Sequence, residues 1–430
     1  MSKLALLGGQ PVRTTPFPAY ITAGAEEKEA AALVIDSGVL SRYLGCWHEQ
    51  FFGGTEVQAL EQEWAAYYGV KHAIAVNSCT SGLICALGAI GLSPGDEVIV
   101  TPWSMSISAT APLFYGGIPV FADLEPDCFC ISPASVEEHI SPRTKAIVVV
   151  DIFGQPYDAG AMNAIARKHG IPVIEDCAQA PGVRLNGRYA GTLGDIGVFS
   201  LNYHKHIHCG EGGVIVTDSD SLAERLQLIR NHAEAVVAGK GTPDLTNMLG
   251  YNFRMTELDA VLTRCQLKKL APLLEKRQHN VGYLENSLKE IPCLTMPAVR
   301  SGAEHAYYVH ACRYDGAEAG IPSRRFVEAI KAELPTFHLR EKEGTKLGAG
   351  YVQPLYLLPM FQQRIAIGNG GWPFTLSSRS YDKGLCPVCE DLYETSVITH
   401  EFMLPSMAEG DMDDVIEAFR KVWEHRHDLR

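Results

Sequence analysis

Hydrophobic positions in this chain follow two alternating rhythms. Short unbroken apolar runs (A-I-A-V, E-V-I-V-T, I-P-V-F-A-D, A-I-V-V-V-D, I-P-V-I-E-D, I-G-V-F-S-L and G-V-I-V-T) read as strands buried on both faces. Between several of them lie stretches that read as helices: S-G-L-I-C-A-L-G-A-I, S-I-S-A-T-A-P-L-F-Y and A-G-A-M-N-A-I-A-R-K-H-G. The alternation predicts an α/β fold, a mostly parallel central sheet with helices on both faces. Upstream, E-V-Q-A-L-E-Q-E-W-A-A-Y-Y-G spaces Val57, Leu60, Trp64 and Tyr67 at helical intervals and stops at Gly69.

The flanks are organised differently. An N-terminal arm containing P-V-R-T-T-P-F-P precedes a helix around Ala25 to Ser37, and the aromatic, glycine-rich L-S-R-Y-L-G-C-W-H-E-Q-F-F-G-G reads as a functional loop. Glu257 to Leu270 reads as a helix that Pro272 interrupts or kinks, with Leu273 to Leu288 continuing as a second helical stretch. A boundary near 270 is expected, dividing a large domain with the arm (1–270) from a smaller α+β C-terminal domain (271–430). Gly344 to Lys383, with G-A-G, G-N-G-G and several prolines, is irregular and expected to cover the substrate. No internal repeat or low-complexity tract is visible.

Composition narrows the partners. The 430 residues carry a formal net charge of -13, which argues against a nucleic-acid partner. Twelve cysteines are too sparse for a disulfide framework, and the apolar run in M-S-K-L-A-L-L-G-G-Q is too short for a secretory signal. Ala73 to Gly95 holds no charged residue, yet Asn77, Ser78, Thr80 and Ser81 cluster near its start and Pro94 near its end. A strand, a polar turn and a helix explain that stretch better than a membrane span. A cytoplasmic enzyme without membrane contact is expected.

Candidate chemistry concentrates in F-S-L-N-Y-H-K-H-I-H-C-G-E-G-G, Phe199 to Gly213, where Lys205 is the one cation of fixed charge. A lysine held between strands becomes a nucleophile when its surroundings prepare it, whereas a lysine taken at random is a solvated surface group. V-N-S-C-T-S-G-L opens a helix at a polar turn; its backbone N–H groups and hydroxyls suit a phosphate, or Ser78 or Thr80 serves only as an N-cap. V-I-E-D places Asp176 at the C-terminal end of a strand, where open α/β sheets bind ligands, though Glu175 or Asp176 could equally cap the next helix. H-K-H-I-H-C suggests metal ligands, but histidines beside such a lysine serve equally as polar lining. C-P-V-C at Cys386 to Cys389 suggests a redox pair without the βαβ context that would support one.

Taken together, F-S-x-x-x-x-K-x-x-x-x-G-E-G-G, E-D-x-A-Q, the serine-rich turn and C-P-x-x-E resemble the DegT/StrS sugar aminotransferase family, pyridoxal-phosphate enzymes of fold type I. The resemblance covers nearly the whole chain. It implies that Lys205 holds pyridoxal 5'-phosphate as a Schiff base, with Asp176 on the pyridine nitrogen and Gln179 on the phenolic oxygen. It also implies phosphate contacts from Thr80, Ser81 and Ser200. Asn252 and Arg254, in G-Y-N-F-R-M-T-E, would touch the partner subunit's cofactor phosphate across a homodimer interface; the plainer reading of Arg254 is a helix-start ion pair. The family's stacking aromatic falls at Met105, with Trp103 two residues earlier, so the source of stacking is open. Cys79 replaces a family glycine, and Asp151 stands nearest a position that is often histidine. R-N-H-A, Arg230 to Ala233, matches a family motif of less defined role. Lysine at 205 separates the chain from dehydratases that carry histidine there.

The implied reaction is amino transfer from glutamate or glutamine to a keto-sugar or keto-cyclitol. A lyase or cyclising dehydratase of the aminobenzoate-forming type is the alternative. The stretches L-G-G-Q-P-V-R-T-T-P-F-P and V-I-T-H-E-F-M-L look like the cyclitol (scyllo-inosose) and aminobenzoate branches. Arg340, Lys342, Lys346, Arg364 and Arg379 are spaced irregularly among Glu341 and Glu343, which reads as a solvated charged loop rather than a diphosphate site.

Overall fold

Side chains on a strand alternate between faces, so the apolar runs build a sheet that must be covered twice. In the computed structural model, which describes residues 3–430, seven strands form that sheet. They are β1 (His72–Val76), β2 (Glu97–Val100), β3 (Ile118–Phe121), β4 (Thr144–Val150), β5 (Val173–Asp176), β6 (Ile196–Ser200) and β7 (Gly213–Thr217). Their order is β1-β7-β6-β5-β4-β2-β3. β7 runs antiparallel to β1 and β6, and the other pairings are parallel. Ile74 and Val76 enter one core with Leu83 and Leu87, whereas Ala73 and Ala75 enter another with Leu60, Trp64 and Leu270.

The helices that cover these faces include α1 (Ala25–Ser37), α2 (Thr55–Tyr68) and α3 (Cys79–Ala89). Helix α3 is buried almost all round and lies close on the sheet. A β-carbon on Gly82 would stand 2.5 Å from Val198 Cγ1, so glycine permits the approach.

Pro272 does not end its helix. Helix α4 runs over 32 residues, Glu257–Leu288, with the proline inside it and across the expected boundary at 270. An interior proline costs about 3 kcal/mol. Leu267, Leu270, Leu274, Val281 and Leu284 are buried along the same helix, and each contributes about 1.5–3 kcal/mol. The burial outweighs the proline.

The C-terminal part carries an antiparallel sheet, β8 (Leu294–Thr295), β9 (His310–Tyr314), β10 (Leu347–Ala349) and β11 (Val397–His400), in the order β8-β9-β11-β10. Its core joins the end of α4 to α5 (Ser323–Glu333) and α6 (Glu409–Glu424) through Leu284, Phe326, Ile330, Val415 and Phe419. Leu4 and Phe17 of the N-terminal arm belong to this core, although the arm was expected with the large domain. Glu333 is the cause. Buried and paired with Lys421 at 2.7 Å, it also accepts the N–H groups of Ala5 and Val12.

The irregular stretch expected to cover substrate mostly covers the sheet edge. Tyr356, Phe361 and Tyr381 surround Phe121 of edge strand β3, and Tyr381 donates to the Pro119 carbonyl at 2.9 Å. Covering an edge removes a site of unwanted strand pairing. Only its beginning, Tyr351 to Leu355, turns toward the ligand end of the strands: Trp103 Nε1 donates to Val352 O, and Leu355 N to Pro102 O.

β4 leads into Asp151 and β5 contains Glu175, two carboxyl groups sealed from solvent. Glu175 accepts three backbone N–H groups, from Gly191, Leu193 and Gly194, which fixes the negative charge there. Asp151 accepts one, from Tyr157, and its Oδ2 has no conventional donor among the described residues. Burial first, and then the charge of Glu175, hold the Asp151 carboxyl well above its usual range, so it keeps a proton. Unfolding above the ordinary value of 3.8 releases that proton, so this group's contribution to stability falls as pH rises from 3.8 toward the folded value. Asp151→Asn has no such proton to lose. Its urea midpoint, taken relative to wild type, is expected to improve between about pH 5 and about pH 8; a difference that stays constant with pH would contradict a proton held on Asp151.

Candidate active site

The C-terminal ends of the parallel strands deliver the predicted residues to one region, as open sheets do. β1 ends at Val76 and hands over to α3 through Asn77 and Ser78. Ser78 takes the N-cap: its Oγ accepts from Ser81 N at 3.0 Å, and Ser81 Oγ donates to Asn77 Oδ1 at 2.6 Å. Ser81 is therefore buried in the turn, while Thr80 is exposed. Ser200 closes β6 in register with Gly213, and a β-carbon on Gly213 would stand 2.7 Å from Cys79 N. That close approach brings Ser200 beside the start of α3.

Asp176 is 3% exposed. Ser108 Oγ donates to its Oδ2 at 2.9 Å, Ala178 N to its Oδ1 at 3.1 Å, and the Cys79 thiol stands 3.9 Å from Oδ1. Burial raises its carboxyl, while the Ala178 amide, the Ser108 hydroxyl and the charge of Lys205 oppose the rise. No basic side chain among the described residues is within ion-pair distance of it. The carboxylate is oriented, sealed and lacks a cation. The helix-capping alternative accounts for only one of its contacts.

Lys205 Nζ rests 4.2 Å from the centre of the Tyr308 ring. Arg277, fully buried on α4, fixes that tyrosine's backbone by donating from Nη1 to the carbonyls of Tyr307 and Tyr308. Gln179 accepts from Phe153 N through Oε1 at 2.6 Å, which turns its Nε2 outward toward Tyr351 Oη at 3.4 Å. Of the two stacking candidates, Trp103 is buried with its N–H used, and Met105 is 69% exposed.

The remaining motifs separate. Arg254 Nε donates to Asn252 Oδ1 at 2.7 Å, and Phe253 O between them accepts from Asn77 N, so this segment abuts the serine turn of its own chain. Arg230 is a buried strut rather than a site residue, donating to Glu61 and the Ala75 carbonyl, and Asn231 holds the aromatic loop through the Leu44 and Phe51 carbonyls. The three histidines take different partners: His206 Nε2 meets the Ala306 carbonyl, His208 meets Thr22, and His204 stacks edge-on against Tyr203. Burial lowers all three imidazoles. Cys386 and Cys389 are buried free thiols beside Asp123, which accepts the N–H groups of Val388 and Cys389.

Three contributors carried no sequence signal. Ser108 lies in a run of similar small residues, and Tyr308 and Tyr351 are more than a hundred residues from Lys205 along the chain.

The donor set fits pyridoxal phosphate. A buried carboxylate without a cation suits a protonated pyridine nitrogen, a serine-capped helix start suits a phosphate, and an outward amide N–H suits a phenolate. Comparison with known proteins agrees. Residues 46–420 match the DegT/DnrJ/EryC1/StrS aminotransferase family. The spore coat polysaccharide biosynthesis protein SpsC of Bacillus subtilis is 32% identical over 93% of this chain and 95% of its own length. The L-glutamine:2-deoxy-scyllo-inosose aminotransferase of Streptomyces fradiae is 32% identical over 100% and 99%. Among solved structures, DesI in the presence of its TDP-sugar product matches with a TM-score of 0.81 and 26% identity, over 99% of this chain and 97% of that one. The chain is an aminotransferase with pyridoxal phosphate as cofactor, and it belongs to the DegT/DnrJ/EryC1/StrS aminotransferase family.

Proposed function

We propose that the protein moves an amino group from L-glutamine, or from glutamate, to a cyclic polyhydroxylated ketone of the scyllo-inosose type. Its end-to-end similarity to the inosose aminotransferases supports the acceptor class. The observation that carries the choice over a nucleotide-linked sugar is the fate of the basic residues. Arg340 pairs with Glu343 and Glu401, Lys346 with Glu343, and Arg379 with Glu97. Arg364 is spent on the carbonyls of Phe374, Ser377 and Arg379. Four of the five candidates are thus committed within the chain, and a diphosphate needs free ones.

In this reading bound pyridoxal phosphate supplies the electron sink. Lys205 anchors it and, once the donor has taken its place, Nζ removes the proton from the donor's α-carbon. Asp176 keeps the pyridine nitrogen charged, with Ser108 and Ala178 holding the carboxylate in place. Gln179 donates to the phenolic oxygen, Met105 covers the ring, and Thr80, Ser81, Ser200 and the start of α3 hold the phosphate. The protein works as a cytoplasmic homodimer, in which Asn252 and Arg254 reach the phosphate in the other subunit. Twelve free thiols suit a reducing compartment.

Two measurements test this reading. With L-glutamine as donor, kcat/KM is expected to be higher for a keto-cyclitol than for a nucleotide-linked 4-keto sugar, with one keto acid released per amine formed. The reverse preference rejects the acceptor, and product without keto acid favours the lyase alternative. For the shared site, Lys205→Ala and Arg254→Ala chains, each inactive alone, are dissociated and mixed. Recovery toward about a quarter of wild-type activity is expected from statistical heterodimers. No recovery despite demonstrated subunit exchange would show that each site is built from one chain.

A further inference from the structure

Tyr351 reaches the site from the C-terminal part of the chain, and five contacts fix where its hydroxyl stands. Gly350, at φ +76°, takes the backbone off β10; its N–H donates to Val397 O at 2.8 Å and its carbonyl accepts from Thr399 Oγ1 at 2.9 Å. A β-carbon on Gly350 would stand 2.3 Å from the Tyr393 carbonyl oxygen, so glycine alone allows this path. On the other side Val352 O is held by the Trp103 indole at 2.6 Å. The ring itself packs edge-on against Phe153 and Trp103, at centroid distances of 4.9 and 5.8 Å.

Its hydroxyl is half-occupied. Gln179 Nε2 donates to it, and the phenol's own proton meets no acceptor among the described residues. Burial keeps the phenol neutral, so the O–H remains a donor. Gln179 Nε2 has a second N–H without a partner here. Lys205 is close to this pair: Tyr308, whose ring centre lies 4.2 Å from Lys205 Nζ, donates from N to Phe153 O at 2.8 Å, and Phe153 donates to Gln179 and packs on the Tyr351 ring. In pyridoxal the phenolic oxygen sits on the ring carbon next to the one that bears the aldehyde a lysine amine attacks, so a group near both Lys205 and Gln179 would face that oxygen.

We propose that Tyr351 is a second hydrogen-bond donor to the phenolic oxygen of the cofactor, acting with Gln179. The inference rests on the reading that Lys205 anchors pyridoxal phosphate here. Its consequence is electronic: a donor to the phenolate favours the charged oxygen and disfavours protonation of the conjugated nitrogen beside it.

The test is Tyr351→Phe in the cofactor-loaded protein, which keeps the ring against Phe153 and Trp103. The pH midpoint of the visible cofactor band is expected to rise by about one unit, tenfold in proton affinity, with the donor and acceptor half-reactions slowed together. Cofactor affinity should fall in the variant, whereas 3-deoxypyridoxal phosphate, which lacks the oxygen, should bind wild type and variant alike. An unchanged midpoint, or loss confined to the acceptor half-reaction, overturns the proposal and makes Tyr351 a substrate contact or a packing residue. If the variant fails to fold, wild-type protein decides alone: binding the 3-deoxy analogue with no loss of affinity would overturn it. A wild-type protein with no reducible band on Lys205 would instead reject the underlying site reading.

Discussion

A carboxylate sealed from water without a cation is the constraint on which this site depends. Burying such a charge is costly unless hydrogen bonds and a counter-charge compensate. Asp176 has the hydrogen bonds, from Ser108 and Ala178, and lacks the counter-charge. The sheet places it at a strand end, α3 closes over it through Cys79, and Lys205 approaches as the nearest source of positive field. In the proposed reading a protonated ring nitrogen would complete the arrangement, which would make cofactor binding and site electrostatics one problem.

Asp151 shows the opposite solution at the end of the neighbouring strand β4. There the second carboxyl is compensated by keeping its proton, because Glu175 already holds three backbone N–H groups. Adjacent strands thus present one carboxyl that keeps its proton and one that is oriented by hydrogen bonds and has no basic partner. The difference lies in which group each one's neighbours can donate.

Much of this was legible in the sequence because it is local. Apolar runs set the strands, and Lys205, Asp176 and Gln179 sit in motifs a few residues long. What the sequence hid depends on contacts between distant segments. Pro272 reads as an interruption or a kink between two helical stretches until α4 is seen to bury leucines on both sides of it. The N-terminal arm reads as part of the large domain until Glu333 of the C-terminal part is seen to accept its N–H groups. Tyr351 lies in a stretch whose composition says only irregular, and Gly350 together with the Trp103 indole gives its ring a defined place. Arg340, Lys346, Arg364 and Arg379 read in sequence as a charged loop without a diphosphate site, and only the fold shows which carboxylates and carbonyls they engage.

The most direct test of the central claim, that Lys205 anchors the cofactor in the field of Asp176, is borohydride reduction of the purified, cofactor-loaded protein followed by peptide mapping. The account expects loss of the visible band and one pyridoxyl adduct, on the peptide carrying Lys205. An adduct on a different lysine, or a band that survives reduction, would contradict it.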